Sequence, residues 1–378
     1  MKLIVPREIQ PGERRVALVP ESVKKLAGAG FGITVEKGAG AASHFPDEAY
    51  VNAGARIEER HEALFGDADF VLKLRPPALG APLERHEVEL MQPGSKVLSS
   101  LVPARHGEVV RALAGRRVTA FSTDTIPRTT RAQAMDTLSS MANIAGYKGV
   151  LLAASELGKY TPMFMTAAGT VPPARYFIIG AGVAGLQAIA TAKRLGASVV
   201  ATDVRPEVKE QIESVGAKYV GIELKQSAAA GGGYAKELSE EDKRRQKELL
   251  AEQVALADVV VTTALIGGVF APKLITAEMV RAMRPGSVIV DLAAEGGGNC
   301  ELSAPGETIV VHGVTIIAPL NLPATMPTHA STLWSRNLTS FLLAFWKDKQ
   351  FKFDLADDIL KGATITHEGE ILHPQAKS

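Results

Sequence analysis

Short apolar runs alternate with helix-like segments over about the first 130 residues of the chain. A helix with its apolar positions on one face is predicted at 21–29, between the first two of these runs. Strands that alternate with helices predict βα units and a parallel sheet. This region has no glycine fingerprint, so we expect a partner domain without a nucleotide of its own. The predicted strands lie at 3–6, 33–36, 70–74, 96–101 and 118–122.

The second half of the chain resumes this alternation after a long helical segment. Residues 132–157 contain no proline and space their apolar side chains at helical intervals, which predicts one long helix able to join two domains. A loop rich in Thr, Gly and Pro is expected at 162–173, and an amphipathic helix at 332–345 is expected to return to the first domain. The remaining apolar runs predict buried parallel strands at 198–202, 258–262, 287–291 and 314–318.

The segment 224–241 is too long and too rich in small residues for a packed connection. Loops of this size are commonly functional or disordered. Tyr234 follows three glycines that can act as hinges, so we expect it to fold over a bound nucleotide and exclude water. A tyrosine in a disordered linker is the alternative. Ser239 and Asp242 are predicted to cap the charged helix at 243–257, whose charges form a solvated face.

The stretch 174–185 reads ARYFIIGAGVAG and joins an apolar strand to a glycine-spaced turn that opens a helix. Gly180 permits the tight turn, Gly182 lets backbone N–H groups approach a pyrophosphate, and Gly185 brings the helix close to the sheet. The phosphates are expected at the positive end of the helix, which begins near Val183. The pattern therefore predicts a dinucleotide site, while a glycine-rich turn in another parallel-sheet protein is the alternative.

An acidic residue, Asp203, follows the next apolar strand at the place where the adenosine ribose is expected. Its carboxylate accepts hydrogen bonds from the 2′- and 3′-hydroxyls and repels a 2′-phosphate, which favours NAD(H) over NADP(H). Arg205, two residues further on, is assigned to the same site and either pairs with Asp203 or faces solvent. Thr263 and Ala264, which follow the strand at 258–262, complete the predicted cofactor site.

The composition is that of an ordinary globular chain: 378 residues, 46% hydrophobic, enough for two or three domains. Lysine and arginine number 42 against 41 aspartates and glutamates, and the net charge of +1 gives no electrostatic basis for nucleic-acid binding. The single Cys300 cannot form an internal disulfide and is interpreted as structural, in a chain compatible with a reducing cytoplasm. The first 15 residues predict a strand and not a signal peptide, and the apolar segment 338–346 is about half a membrane span. The histidines, including His312 and His329, lack metal-ligand spacing, so no metal is expected.

Three stretches of the chain together resemble one family. They are RTTRAQAMDTLSSMANIAGYKGV at 128–150, GGGYAKELSEE at 231–241 and APLNLPATMPTHAS at 318–331. With them the chain is similar to the NAD(H)-binding component, domain I or the alpha-1 subunit, of proton-translocating NAD(P) transhydrogenases, in the alanine dehydrogenase/transhydrogenase family. The similarity extends over nearly the whole chain.

This resemblance implies which polar residues surround the nicotinamide. Arg128, Asp136 and Ser139 are expected to position the NAD(H) ring and ribose, and Gln133 to reach toward the nicotinamide of the second nucleotide. Steps of three residues from Gln133 to Asp136 and from Asp136 to Ser139 are compatible with side chains that face one pocket. The alternative is a set of polar residues at a helix entry, with Thr129 and Thr130 as caps.

The resemblance also implies an activity and a set of partners. Hydride passes directly between NAD(H) on this chain and NADP(H) on a partner subunit, in the Si/Re-specific, proton-translocating class, and only when partner subunits are present. A homodimer, an NADP(H)-binding partner and a separate membrane-spanning subunit are expected. The chain is then cytoplasmic and peripherally associated with the inner membrane through these subunits.

Two other functions compete with this interpretation. An alanine dehydrogenase binds its substrate with an arginine and a lysine, which Arg15 and Lys73 match, but it also needs an acid/base group. The family's histidine falls near Val102 and its aspartate at Glu295, so that chemistry is disfavoured, and Arg15 and Lys73 become candidates for structural charges. A non-catalytic NAD(H)-binding module would keep the glycines but have no use for Gln133.

These observations lead to an α/β fold with two Rossmann-like parallel-sheet domains, the first closed by the C-terminal segment. The predicted domains are 1–131 with 320–378, an N-terminal α/β domain, and 132–319, a Rossmann NAD(H)-binding domain. NAD(H) is expected in a cleft beneath the strand ends of the second domain.

Overall fold

A computed structural model describes residues 1–80, 84–222, 239–265 and 271–376. The chain forms two compact units, one of Met1–Met141 with Pro323–Ser378 and the other of Ala142–Leu322. The first boundary therefore falls inside a helix, ten residues beyond the predicted bound at 131, and the second falls close to the predicted bound at 320. Tyr234, together with residues 224–238 of the predicted loop, lies outside the described residues.

The helices and strands are numbered here in chain order. The α-helices are α1 Pro20–Gly28, α2 Asp47–Asn52, α3 His61–Leu64, α4 Glu87–Leu90, α5 Gly107–Gly115, α6 Thr137–Glu156, α7 Val183–Arg194, α8 Lys209–Ser214, α9 Glu240–Leu256, α10 Ala277–Ala282, α11 Pro327–Ala344 and α12 Asp358–Ala363. The strands are β1 Lys2–Val5, β2 Gly32–Glu36, β3 Arg56–Glu58, β4 Phe70–Leu72, β5 Lys96–Ser99, β6 Thr119–Ser122, β7 Phe164–Thr166, β8 Gly169–Val171, β9 Arg175–Ile179, β10 Ser198–Thr202, β11 Lys218–Tyr219, β12 Val259–Thr262, β13 Val288–Asp291, β14 Thr308–Val311, β15 Val314–Ile317, β16 Trp346–Lys347, β17 Gln350–Phe351, β18 Thr364–His367 and β19 Glu370–Ile371.

The first unit is built on an eight-stranded sheet in the order β19-β18-β6-β5-β4-β1-β2-β3. The strands from β6 to β3 run parallel, as the βα alternation predicts. The C-terminal β18 joins them antiparallel beside β6 and brings β19 with it. Helix α11 packs its buried Phe341 against Phe121 of β6, with the ring centroids 5.5 Å apart. The C-terminal segment thus completes both the sheet and the core of this unit.

The second unit has a seven-stranded sheet in the order β11-β10-β9-β12-β13-β15-β14. All of its strands are parallel except the edge strand β14. The first strand of the unit's sheet, β9, lies in the middle, with its sequence neighbour β10 on one side and β12 on the other. In such sheets a crevice opens at the carboxyl end of the strands where the order reverses, and ligands bind there. The predicted α/β class with two parallel-dominated sheets is confirmed.

Three segments differ from their predictions. The long helix starts at Thr137, not at 132, because residues Thr130–Met135 form a 3-10 turn that ends in an extended residue, Asp136. The predicted loop at 162–173 contains the hairpin of β7 and β8, whose turn is fastened by the Thr166 hydroxyl. The helices α9 and α11 begin three and five residues before their predicted starts.

The cap of α9 agrees with its prediction. The Ser239 hydroxyl accepts a hydrogen bond from the Asp242 amide at 3.2 Å and donates one to the Asp242 carboxylate at 2.7 Å. Such a cap satisfies an amide that has no partner inside the helix. Within the described residues, no helix combines the length and the apolar character needed to cross a membrane.

Candidate functional site

The turn between β9 and α7 has room for glycine alone at two positions. Gly180 has φ +93°, and a Cβ there would lie 2.6 Å from the Thr263 hydroxyl. A Cβ on Gly185 would lie 1.8 Å from the carbonyl oxygen of Gly180, so α7 can approach the turn only because Gly185 has no side chain. The Thr263 hydroxyl donates to the Gly180 carbonyl at 3.1 Å and ties the neighbouring strand end to the turn.

Gly182 precedes α7 and leaves open space in front of the helix. A Cβ built on Gly182 has no atom within 4 Å, in contrast to its two fellow glycines. The first N–H groups of a helix have no partners within it, and the positive end of the helix dipole lies among them. Val183, the first residue of α7, is partly exposed beside this space. The arrangement fits the pyrophosphate of a dinucleotide.

Asp203 and Arg205 form an ion pair at the end of β10. The guanidinium donates from Nε to Oδ1 at 3.0 Å and from Nη2 to Oδ2 at 2.9 Å. The Asp203 carboxylate also accepts from the backbone amides of Ala181 at 2.8 Å and Arg205 at 2.9 Å. Both side chains are largely buried, with 6% of Asp203 and 12% of Arg205 exposed, and the hydrogen bonds to Asp203 raise the pKa of Arg205. Of the two alternatives for Arg205, the structure has the pair.

Asn299 supports the end of β12, and sequence analysis missed it. Its buried amide accepts from the Ala264 N–H at 2.9 Å and donates to the carbonyls of Ala264 and Pro272, each at 2.9 Å. It follows Gly297 and Gly298, which both have positive φ. The sequence signal for this residue was the run GGGN, which marks an unusual backbone conformation followed by a side chain that bonds to backbone.

A second group of polar residues lies in the first unit, on residues 126–136, which we call the polar turn. Arg128, Gln133 and Asp136 line one cavity of about 290 Å³. Ile126 and Ala132 contribute its buried apolar wall, and Gln133 is exposed. The spacing of these three polar residues in the sequence therefore does bring them to one pocket of this unit.

Asp136 joins the polar turn to α6. Its carboxylate accepts from the Ser139 amide at 2.8 Å and from the Ser139 hydroxyl at 2.6 Å, which is the geometry of a helix N-cap. Arg128 Nε lies 3.7 Å from the same carboxylate. Asp136 and Ser139 are thus helix-entry residues in structure, as the alternative interpretation expects, and their position beside the pocket is compatible with binding as well.

The two basic residues matched to alanine dehydrogenases are neutralised by carboxylates. Arg15 is paired with Glu13 through two hydrogen bonds of 2.7 Å. The fully buried Lys73 ammonium lies 2.9 Å from Glu87 and 3.3 Å from Glu8. Burial opposes the charged form of Lys73, but the attraction of the two carboxylates outweighs it and raises its pKa. These charges are held in place by the protein itself.

A buried histidine extends this cluster. His61 Nδ1 lies 2.8 Å from Glu36, and Nε2 lies 3.5 Å from Glu87. Burial favours the neutral imidazole, but the hydrogen bonds to the two glutamates outweigh it and raise the pKa of His61 to about 9. For Glu87, burial is likewise outweighed by Lys73 and His61, so its pKa is lowered.

The positions matched to the acid/base groups of alanine dehydrogenases have other structural roles. Val102 has φ +42°, an uncommon conformation for a β-branched residue, and its amide donates to Asp124 at 2.8 Å. The nearby His106 precedes α5, and its Nδ1 is 3.0 Å from the Leu101 carbonyl. Glu295 accepts from the Asn321 amide at 2.7 Å.

The strand order, the glycine turn and the acidic residue after β10 define an α/β protein of the dinucleotide-binding Rossmann type. The chain belongs to the Alanine dehydrogenase/PNT family, whose N-terminal domain matches residues 4–145 and whose C-terminal domain matches residues 149–374. This is a family of NAD-binding oxidoreductases, and the resemblance seen in the sequence is confirmed at this level.

Individual relatives cover nearly the whole chain. In Rhodospirillum rubrum, the first of the chains that make up the alpha subunit of NAD(P) transhydrogenase is 47% identical over 99% of this chain and 98% of its own length. A solved transhydrogenase from Sinorhizobium meliloti is 44% identical, with a TM-score of 0.88 over 98% of this chain and 100% of that one. A solved L-alanine dehydrogenase superposes with a TM-score of 0.83 at 27% identity, over 100% of this chain and 98% of that one.

Proposed function

We propose that this chain is the NAD(H)-binding component of a proton-translocating transhydrogenase of the Si/Re-specific class, active only together with partner subunits. The observation that carries the proposal is the near-complete match to a transhydrogenase alpha subunit at 47% identity. The side chain at Val102 adds physical support, because a valine cannot take or give the proton that oxidation of an amine requires.

The proposed reaction moves one hydrogen with its bonding electron pair from C4 of one nicotinamide to C4 of the other, so that one nucleotide is oxidised as the other is reduced. The protein then has no substrate amine or hydroxyl to deprotonate. Its task is to bind, to orient and to exclude water. Arg15 and Lys73, each paired with buried glutamates, serve to hold the first unit together in this account.

We assign NAD(H) recognition to the second unit, as its Rossmann domain. The amides that follow Gly182 bind the pyrophosphate, and Asp203 accepts from the ribose hydroxyls once Arg205 shares or releases it. Gly180, Gly185, Val183, Thr263 and Ala264 shape this site. Tyr234 lies outside the described residues, and its assignment as a cover over the nucleotide rests on the sequence.

We assign the orientation of the nicotinamide to the polar turn and the start of α6. Arg128, Asp136 and Ser139 hold one another through their contacts and so present a fixed set of polar groups to the NAD(H) ring and ribose. Gln133 is exposed and free of a cap role, which suits a side chain that reaches toward the second nucleotide.

The hairpin of β7 and β8 supports a homodimer as part of the proposal. All six of its strand residues are exposed, Met165 to 78%, and Phe164 stacks edge-on with the exposed Tyr160. The stretch 160–173 carries no charge. A two-stranded ribbon is marginal on its own in water, and an exposed apolar patch marks a surface for association. We propose that a second copy of the chain covers it.

The remaining partners are proposed from the subunit names of the relatives. They are an NADP(H)-binding subunit and a membrane-spanning subunit that couples hydride transfer to proton movement and holds this chain at the cytoplasmic face of the inner membrane. Nucleic acid is not among the proposed partners, because the net charge of the chain is only +1.

Replacement of Gln133 by alanine tests the proposal. Stopped-flow transfer from NADH, with an NADP(H)-binding transhydrogenase component present, is expected to slow at least tenfold, while the dissociation constant for NADH changes less than twofold. Thr129→Ala, on the same turn, is the matched control and should transfer at nearly the native rate. Native transfer by the Gln133 variant would remove the assigned role, and absence of transfer by the native protein would refute the function.

A further inference from the structure

We infer that Asn337, in the middle of α11, is a positioning residue that sets the geometry of the polar turn. The inference rests on the proposed function, because it explains how Gln133 and Asp136 are held for hydride transfer. Asn337 does not line the cavity of the polar turn and acts only through the backbone of that turn.

The contact is a single buried hydrogen bond to the backbone. Asn337 is 8% exposed, and its Nδ2 donates to the carbonyl oxygen of Ala134 at 2.8 Å. Ala134 directly follows Gln133 and precedes Asp136 by two residues. The carbonyl that Asn337 fixes therefore belongs to the peptide unit between the two side chains whose placement matters most.

Apolar contacts on the same helix anchor the residues on either side of this bond. Ala132 and Met135 of the polar turn are buried in one core cluster with Trp334 and Leu338 of α11. These contacts fix the depth of the turn but not its rotation, because dispersion and hydrophobic contacts are not directional. The hydrogen bond from Asn337 supplies the directional constraint.

A second attachment of the turn is more exposed. Arg131 donates to Asp357 at 2.7 and 2.6 Å and also contacts Asp358, but 54% of its side chain is exposed. Ion pairs with that exposure are screened and contribute little. Gly362 of α12 packs so closely that a Cβ there would lie 2.8 Å from Pro127. The C-terminal segment thus holds the turn from two sides, and Asn337 is its buried polar contact.

Small displacements at this place have large kinetic consequences. Transfer between two rings requires a near-attack geometry, and a misplacement of about 1 Å can cost about 100-fold in rate. Loss of the Asn337 donor leaves the Ala134 carbonyl free to rotate. The side chains on either side then adopt several orientations, which slows transfer without removing the site for NADH.

Two variants of Asn337 and one control test the inference. Asn337→Asp keeps the size of the side chain but presents only acceptors to the Ala134 carbonyl, and Asn337→Ser is the milder change, too short to span the contact and free of charge. Thr339→Val is the matched control: Thr339 is buried on the same helix, and its hydroxyl has no hydrogen-bond partner among the described residues. Thermal melting defines a temperature at which all variants are folded.

The readouts are the NADH dissociation constant and the single-turnover rate of transfer with the NADP(H)-binding component. We expect both Asn337 variants to lower the rate at least tenfold with NADH affinity within twofold of native, and Thr339→Val to retain the native rate. A folded Asn337→Ser variant with native transfer overturns the inference, as does an equal loss of NADH affinity and rate. Absence of transfer in the native protein refutes the proposed function instead.

Discussion

Replacement of Arg205 by alanine is expected to make the protein more selective for NAD(H), and replacement of Asp203 by asparagine less selective. In the ligand-free protein the two side chains form a nearly buried, neutral pair. A free Asp203 would add a negative charge at the ribose, while a free Arg205 would offer a partner to a 2′-phosphate. Asparagine keeps the shape and an oxygen for the Ala181 amide, so the turn itself should survive.

The sizes follow from the contacts. Loss of a charged hydrogen bond to the ribose costs about 1 to 3 kcal/mol, so Asp203→Asn should raise the NADH dissociation constant about 5- to 150-fold. Two unit charges 4 Å apart interact by about 1 kcal/mol in water and about 4 kcal/mol near a protein surface. Arg205→Ala should therefore weaken NADPH relative to NADH by at least about fivefold.

Calorimetric titration of each variant with NADH and with NADPH measures both ratios. Asp258→Asn is the matched control, because Asp258 also bonds a backbone amide and a basic side chain, Arg175 N–H and Lys159, but at the opposite end of the strands. Its ratio should equal the native one. An Arg205 variant with an unchanged or lower NADH preference, or an Asp203 variant with native NADH affinity, would refute the assignment of the ribose site.

Three further predictions concern the turn, the buried cluster and the hairpin. Gly185→Ala should destabilise the protein strongly and abolish NADH binding, because its Cβ overlaps a carbonyl, whereas Gly182→Ala should melt like native but bind NADH more weakly; equal melting of the two variants would contradict the packing argument. The His61 pKa of about 9 lies above its ordinary 6.5, so its stabilisation, at most about 3 kcal/mol, is complete below pH 6.5 and lost as the pH rises through 9. Urea unfolding of His61→Gln should lack this pH dependence, and a native-like slope would exclude His61 as its source. Met165→Ser with Phe164→Ser should give monomers by light scattering, and an intact dimer would place the interface elsewhere.

Much of the fold could be predicted from local patterns. The strands of both parallel sheets are short apolar runs bounded by turn residues, so their positions agreed to within a few residues. The glycine spacing at 180–185 depends on a turn that tolerates nothing else, which makes it legible without the fold. The cap at Ser239 was predictable for the same reason, since it is a contact over three residues.

The missed features depend on residues distant in the chain. Strand β18 pairs with β6 across more than 240 residues, and its short TITH sequence carries no signal of that partner. Gly146 looked like an ordinary helix residue, yet its missing Cβ lets α6 approach the Ala184 carbonyl. Asn299 and Asn337 are buried amides that bond distant backbone, and nothing in their local sequence names the acceptor. The start of α6 was missed because Asp136 caps it within a proline-free run.

The most direct test of the central claim is to give the purified chain two alternative tasks. We predict that it produces no NADH from NAD+ and alanine, and that it oxidises NADH at a measurable rate only when an NADP(H)-binding transhydrogenase component and NADP+ are both present. Alanine-dependent formation of NADH by the chain alone would contradict the account and would assign the protein to the dehydrogenase branch of its family.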